Sequence, residues 1–145
     1  MIKHILIPID GSSLADSGLA QGLELARALQ ASVTVLTVIT PFQMPSSETV
    51  RFEGMRSVYE EQSRELARSY LREAEDKAKA AGVPCKTDLR EHEAIYQAIV
   101  DVAITQGCDL IAMSSHGRGG VAAVLLGSVT QKVLAHSKVP VLVYR

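Results

Sequence analysis

Five short apolar runs alternate with four helical stretches along the chain. The apolar runs cover residues 5–9, 32–39, 85–90, 110–113 and 140–144. The fourth has no polar alternation, which is typical of a strand buried on both faces. Helices are predicted over about 13–29, 57–81, 94–106 and 127–136. This alternation predicts an α/β fold, in which an open parallel sheet carries helices on both faces.

The first two predicted helices differ in pattern. Leu19, Leu23, Ala26 and Leu29 fall on one face of the first helix, so we expect that face to be buried. The second helix carries many charged residues, which predict a solvated face, and a Gly-Val-Pro sequence at 82–84 ends it. Residues 40–54, between the second strand and this helix, show no clear period. The course of residues 40–57 stays open between disorder and a lid over a ligand.

Composition narrows the class of protein. The chain has 145 residues, which suits one domain with a sizeable core, and its net charge of −1 gives no case for a nucleic acid or membrane partner. No apolar run approaches the ~20 residues of a membrane span, and no signal-peptide core precedes the first strand. Cys85 and Cys108 lack metal-ligand spacing, so neutral thiols and a cytoplasmic location are expected.

One stretch near the C-terminus carries the candidate chemistry. A buried strand runs into the small, polar, glycine-rich sequence 114–120, and Gly127 and Ser128 then open a helix. Glycine lets backbone N–H groups turn toward a ligand, and a helix N-terminus favours an anion. Ser128 and Thr130 would add hydroxyl donors. The stretch therefore predicts a phosphate cradle, although a glycine-rich connection without a ligand explains the same residues.

The spacing of this stretch resembles the ATP-binding signature of the universal stress protein family, Gly-x2-Gly-x9-Gly-Ser/Thr. The chain has Ser114-x2-Gly117-x9-Gly127-Ser128, so Ser114 replaces the first glycine. Segments 5–12, 109–111 and 139–143 are also similar to the family pattern. The resemblance covers essentially the whole chain, residues 1–145, as a single universal stress protein domain.

The resemblance implies a Rossmann-like sheet, of the adenine nucleotide alpha hydrolase type, with strand order 3-2-1-4-5. It also implies a site for ATP, with Mg²⁺ or Mn²⁺ held mainly by the phosphates, and a homodimer formed through the C-terminal strand at 139–145. Ligands in such a sheet bind beyond the carboxyl ends of the strands, where the strand order reverses. The residues assigned to the nucleotide are Pro8, Asp10, Val38, Met113, Gly117, Arg118, Gly127, Ser128, Val129 and Thr130.

Several of these residues have a second interpretation that involves no ligand. Asp10 belongs to a sequence, Asp-Gly-Ser, that suits a turn and a helix cap. Val38 would offer its backbone, not its side chain, to adenine. Arg118 would either reach a phosphate or solvate the loop. His116 is predicted to make local bonds in the loop, and His92 with Glu93 is predicted to begin a helix, not to bind a metal.

Three functions remain open at this point. The first is an ATP-binding, dimeric stress-response or signalling protein with an unknown protein partner. The second is a dimeric interaction module from the branch of the family that does not bind ATP, which Ser114 favours. The third is an adenylating, ATP-pyrophosphatase or phosphotransferase enzyme. Phosphoryl transfer needs several metal-binding carboxylates, and Asp10 is the only acid placed in the crevice, so at most slow ATP hydrolysis is expected, with no catalytic residue assigned.

Overall fold

The structure is a computed structural model that describes residues 1–43, 53–116 and 125–145. Strands and helices alternate along the whole chain. In chain order the elements are β1 (His4–Pro8), α1 (Ser13–Leu29), β2 (Ser32–Ile39), α2 (Glu53–Ala80), β3 (Cys85–Glu91), α3 (Ile95–Thr105), β4 (Leu110–Ser114), α4 (Ser128–His136) and β5 (Val141–Tyr144).

The five strands form one parallel sheet in the order β3-β2-β1-β4-β5. The predicted fold class and strand order are therefore confirmed. Consecutive strands are joined through helices because a parallel pair needs a crossover connection. Within the described part of the chain, no helix is both long and apolar enough to cross a membrane.

The sheet separates two hydrophobic cores. Alternate residues of each strand point to opposite faces, so Ile5 and Ile7 pack with α1 and α2 whereas Leu6 packs with α3 and α4. Leu19, Leu23 and Ala26 of α1 are buried, as predicted. Leu29 is 39% exposed, so its predicted burial is wrong. It lies in the last turn of α1, where Gln30 turns the chain away in a left-handed conformation (φ 54°).

The boundaries shift by only a few residues from those predicted, except at α2. This helix begins at Glu53, four residues before the predicted start. The prediction missed this start because no proline or strong N-cap residue marks it in the sequence. Its end is close to the prediction, since Ala80 is the last helical residue and Gly82 follows at φ +71°. Residues 44–52 of the segment with no clear period lie outside the described residues.

Candidate functional site

A cleft opens at the carboxyl ends of the strands, where the strand order reverses. Strands β1 and β4 are neighbours in the sheet, but their register is short, pairing Ile5 with Leu110 and Leu6 with Ile111. The connections that follow β1 and β4 run to opposite faces of the sheet, which leaves a crevice between them. The cleft has a volume of about 790 Å³.

Most of the residues assigned to the nucleotide from the sequence meet in this cleft. The structure brings together residues from the ends of β1, β2 and β4 and the start of α4. Gly117 and Arg118 lie outside the described residues. The assigned residues that line the cleft are Pro8, Asp10, Val38, Met113, Gly127, Ser128, Val129 and Thr130.

The backbone of Val38 is turned toward the cleft. In β2, the N–H and C=O groups of successive residues point alternately to the two neighbouring strands. Ile9 donates its N–H to the Leu36 carbonyl at 2.8 Å, so Leu36 faces β1 and Val38 faces the same way. The β1–β2 register ends at Pro8 and Leu36, which places Val38 beyond the last pair. Its backbone N–H and C=O are thus directed to the cleft, in a position to recognise a flat polar ring edge.

The N-terminus of α4 forms another wall of the cleft. Gly127, the N-cap, donates its N–H to the Ser115 carbonyl at 2.7 Å, and its carbonyl accepts the Gln131 N–H at 3.0 Å. The N–H groups of Ser128, Val129 and Thr130 have no partner inside the helix, because they belong to its first turn. These three groups and the helix dipole make a site that favours negative charge.

Backbone conformation does not explain why residue 127 is glycine. Gly127 has φ −59° and ψ 154°, a conformation that any residue adopts. Gly127 also makes no side-chain cap, which serine or aspartate would supply at this position. A glycine that neither the backbone nor the cap requires is consistent with close approach of a ligand to the backbone.

The two hydroxyls of this first turn differ in their roles. Thr130 is 2% exposed, and its Oγ1 donates to the Ser114 carbonyl at 3.1 Å. Its single proton is used in that bond, which fastens α4 to the end of β4. Ser128 is exposed at the start of the helix and lines the cleft.

Asp10 closes a turn at the edge of the cleft. Its Oδ1 accepts the Ser12 N–H at 3.0 Å, and Ser12 Oγ in turn accepts the Ala15 N–H at 3.1 Å. The cap of α1 is therefore Ser12, which leaves Asp10 to line the cleft. Gly11 between them has φ +78°, and the ring of Tyr70 packs directly against its Cα. The turn is therefore stabilised by the Asp10–Ser12 hydrogen bond and by the packing of Tyr70.

The two histidines near the cleft make the local bonds that the sequence predicts. His116 Nδ1 lies 3.0 Å from Ser115 Oγ, and the residue also lines the cleft. His92 Nδ1 accepts the Ala94 N–H at 2.8 Å and so helps to begin α3. In the described ranges, no three His, Cys, Asp or Glu side chains come together in a way that would hold a metal ion.

One wall of the cleft was missed by the sequence analysis. Helix α2 contributes five residues at helical spacing, and α3 contributes Ile95 and Ile99. The signal was present in α2 as an apolar stripe inside a strongly charged helix, but a stripe alone does not tell which surface it faces. The residues of α2 that line the cleft are Tyr59, Ser63, Leu66, Ala67 and Tyr70.

Comparisons with known proteins agree on one family. The family model described as the universal stress protein family matches residues 1–145. A universal stress protein of Thermus aquaticus is 33% identical over 145 residues, with all of both chains covered. Universal stress protein MJ0577 of Methanocaldococcus jannaschii is 30% identical, with 100% of this chain and 96% of the relative covered.

Solved structures show the same fold. The MJ0577 structure superposes with a TM-score of 0.79 at 28% identity, covering 99% of this chain and 95% of that one. A universal stress protein solved in complex with cAMP superposes with a TM-score of 0.70 at 26% identity, covering 99% and 97%. Because the family model matches the whole length of the chain and the solved relatives share its fold, the chain belongs to the universal stress protein family.

Proposed function

We propose that this protein binds ATP in the cleft at the switch point and acts as a dimeric, nucleotide-dependent stress-response or signalling protein. The observation that carries the proposal is the arrangement of backbone groups at the two ends of the cleft. The Val38 N–H and C=O suit the edge of adenine, and the first turn of α4 suits the phosphates.

The charges of the described cleft residues fit a site with adenine near Val38 and the phosphates near α4. The ionisable side chains that line the described cleft are Asp10, His116 and the two tyrosines. With Asp10 as the one carboxylate there, Mg²⁺ or Mn²⁺ would be held mainly by the phosphates themselves. Asp10 suits the neutral, hydroxyl-rich ribose better than a phosphate. The same set offers too few carboxylates for efficient phosphoryl transfer, so the proposal is a binding protein with at most slow hydrolysis.

The position of Ser114 supports ATP binding over the ATP-free branch of the family. Leu110 and Ala112 of β4 pack on the α1 side of the sheet, so Ser114 shares that side. Its Oγ donates to the His116 carbonyl at 2.9 Å, and its Cβ lies 3.3 Å from where a Cβ on Gly18 would stand. Ser114 also lines the cleft, but its side chain is accommodated by a glycine of α1 on the face of the sheet opposite to Met113.

A relative supplies independent support for an adenine nucleotide. The universal stress protein solved with cAMP shares 26% identity and the fold over almost its full length. Its ligand contains adenine, ribose and phosphate, which are the three groups that the cleft of this chain is proposed to accept.

The first test is calorimetry with ATP and Mg²⁺ on purified protein stripped of nucleotide, together with analysis of nucleotide that copurifies. The expected result is micromolar binding, which corresponds to about −8 kcal/mol. Absence of binding and of copurified nucleotide would contradict the proposal and favour the interaction module that does not bind ATP.

Gly127→Val tests the cradle itself. A branched side chain at the N-cap would stand where the phosphates approach, so ATP affinity should fall at least tenfold, about 1.4 kcal/mol. The fold should persist because φ −59° and ψ 154° suit valine. Gly54→Val is the matched control, since a Cβ at Gly54 has nothing within 4 Å. Equal ATP affinity in both variants would refute the assignment of α4 as the phosphate site.

The proposed dimer forms through β5, an edge of the sheet. Ile111 N–H bonds the Pro140 carbonyl and Ser115 N–H bonds the Tyr144 carbonyl, so the even-numbered residues of β5 face β4. Val141 and Val143 then direct their N–H and C=O groups to the open edge. Leu142 is 37% exposed beside them. A second copy related by two-fold symmetry would pair these backbone groups and cover the strand.

Val143→Pro separates pairing from folding. Proline is tolerated on an edge strand where its missing N–H faces outward, so the monomer should fold. A paired β5 would lose a backbone hydrogen bond and clash with the ring, so sedimentation should show the variant shifted to monomer. Val143→Ile keeps the N–H and should behave as wild type. A dimer that survives Val143→Pro would place the subunit contact elsewhere.

A further inference from the structure

The cleft contains a buried hydroxyl that the proposed nucleotide does not use. Thr37 is 4% exposed and lines the cleft near the end of β2. Its Oγ1 is buried and has no hydrogen-bond partner among the residues that the structure describes. Buried polar atoms are nearly always paired, so an unpaired one in a residue that lines a cavity indicates that something else supplies the partner.

Thr37 faces the side of the sheet opposite to that of Met113, one of the residues assigned to the nucleotide. Val33 and Val35 of β2 pack in the core beneath α1 and α2, and side chains alternate along a strand, so Thr37 points to the same side. Leu36 belongs to the other core, together with Met113 and Ile99. The side chains that line the cleft therefore come from both faces of the sheet, and we call the part on each face a lobe.

The lobe on the α2 side is lined by neutral groups. The ring of Phe42 packs against that of Tyr59, with 5.1 Å between the ring centroids. The rest of the lining is aliphatic or aromatic, with the hydroxyls of Thr37 and Ser63 among it. We call this region the α2 lobe, and it consists of Thr37, Ile39, Tyr59, Ser63, Leu66, Ala67 and Tyr70.

We propose that the α2 lobe binds a neutral, largely apolar small molecule whose hydroxyl or carbonyl group exchanges a hydrogen bond with Thr37 Oγ1. The apolar walls favour burial of a ring or short chain, and no lysine, arginine, aspartate or glutamate belongs to the lobe as defined, so a charged group would be desolvated without compensation. None of the residues that define the α2 lobe is assigned to the nucleotide, so the proposal does not depend on ATP binding.

The test uses benzyl alcohol and toluene, two probes of similar shape that differ by one hydroxyl. Each is titrated into methyl-labelled protein and followed by NMR. Benzyl alcohol should shift the methyl signals of Thr37 and Ala67. Thr37→Val should weaken benzyl alcohol about fivefold and leave toluene unchanged, because it removes one neutral hydrogen bond. Thr87→Val makes the same change at an exposed position of β3 and should alter neither probe.

Thr37→Val is expected to fold, because it replaces a buried unpaired hydroxyl by a methyl group of the same size. Shifts confined to Ile99 and Met113 would place the probe in the other lobe and overturn the proposal. Equal effects of Thr37→Val on both probes, or binding of neither, would overturn it as well.

A second titration distinguishes the α2 lobe from the proposed nucleotide site. Benzyl alcohol is added to protein saturated with ATP and Mg²⁺, and its affinity should be unchanged. Competition between the two would assign Thr37 to the nucleotide site and refute a separate subsite. If ATP does not bind at all, the α2 lobe should still bind benzyl alcohol, so failure of one proposal is distinguishable from failure of the other.

Discussion

Gly11→Ala is a substitution whose cost can be worked out from two features of the structure. Gly11 follows β1 in the turn that carries Asp10 to the cleft, and its φ of +78° lies in the region that favours glycine. A Cβ there would also stand 2.2 Å from Cζ of Tyr70 and within 2.6 Å of two further ring atoms. The first feature is a property of the backbone alone, whereas the second comes from packing against α2.

The two contributions have different magnitudes. A left-handed conformation costs a non-glycine residue roughly 1–2 kcal/mol. The overlap with Tyr70 can be relieved only if the ring or the turn moves, and such overpacking costs about 1–3 kcal/mol. Gly11→Ala should therefore lower the free energy of unfolding by about 2–5 kcal/mol, which corresponds to a fall in Tm of roughly 10 °C for a chain of this size.

Gly82→Ala is the matched control. Gly82 has φ +71°, close to that of Gly11, but a Cβ added there has nothing within 4 Å. It should carry the backbone cost alone, about 1–2 kcal/mol. Urea unfolding followed by circular dichroism, at one protein concentration for all variants, gives the two free energies.

The difference between the two variants is the decisive quantity. If Tyr70 resists the added methyl group, Gly11→Ala is the more destabilising by about 1–3 kcal/mol. That excess should shrink in a Tyr70→Leu background, because the ring is gone, and a double-mutant cycle measures the change. Equal costs at residues 11 and 82 would refute the close contact between α2 and the turn after β1.

Two further predictions concern titratable groups at the other end of β1 and β4. Burial, and secondarily the charge of Asp109, raises the pKa of Cys108 to about 11. Iodoacetamide at pH 8 should therefore alkylate Cys108 roughly a hundredfold more slowly than a free thiol. Mass spectrometry of the peptide that contains Cys108 measures this rate. The Asp109 carboxylate accepts hydrogen bonds from the Lys3 and His4 N–H groups, which lowers the pKa of Asp109 below 3.8. The stability that these bonds add is fully present above pH 3.8 and is lost as the pH falls through the lowered pKa. Asp109→Asn should then destabilise at pH 7, and its effect should shrink as the pH falls below 3.8. A pH-independent difference in thermal unfolding would contradict this.

The position of Ser114 shows where a motif alone stops being informative. The sequence indicates that a glycine of the nucleotide signature is replaced by serine, which is small enough to predict a tolerated change but leaves the ATP-free branch of the family open. The structure places the serine side chain on the α1 side, bonded to the His116 carbonyl and packed against Gly18. Whether a substitution blocks a site depends on the direction of its Cβ and on the residue opposite, and neither is encoded in the spacing of the motif.

Local pattern was sufficient for the framework of this protein. Apolar runs of strand length, amphipathic helices and the turn chemistry around Asp10 and Gly82 predict the order and type of every element, because these signals depend on residues close together in sequence. The resemblance to the family added the strand order, and the strand order placed Asp10, Val38 and Gly127 in one cleft.

Only the tertiary structure decided what else meets those residues. The stripe of α2 that includes Tyr59 and Tyr70 looks in sequence like part of a solvated helix, yet it forms a wall of the cleft. Thr37 reads as an ordinary strand residue, and its unpaired hydroxyl is visible only once its neighbours are known. Contacts of this kind join residues that are far apart in the sequence. They depend on the docking of whole helices on the sheet, which hydrophobic periodicity does not specify.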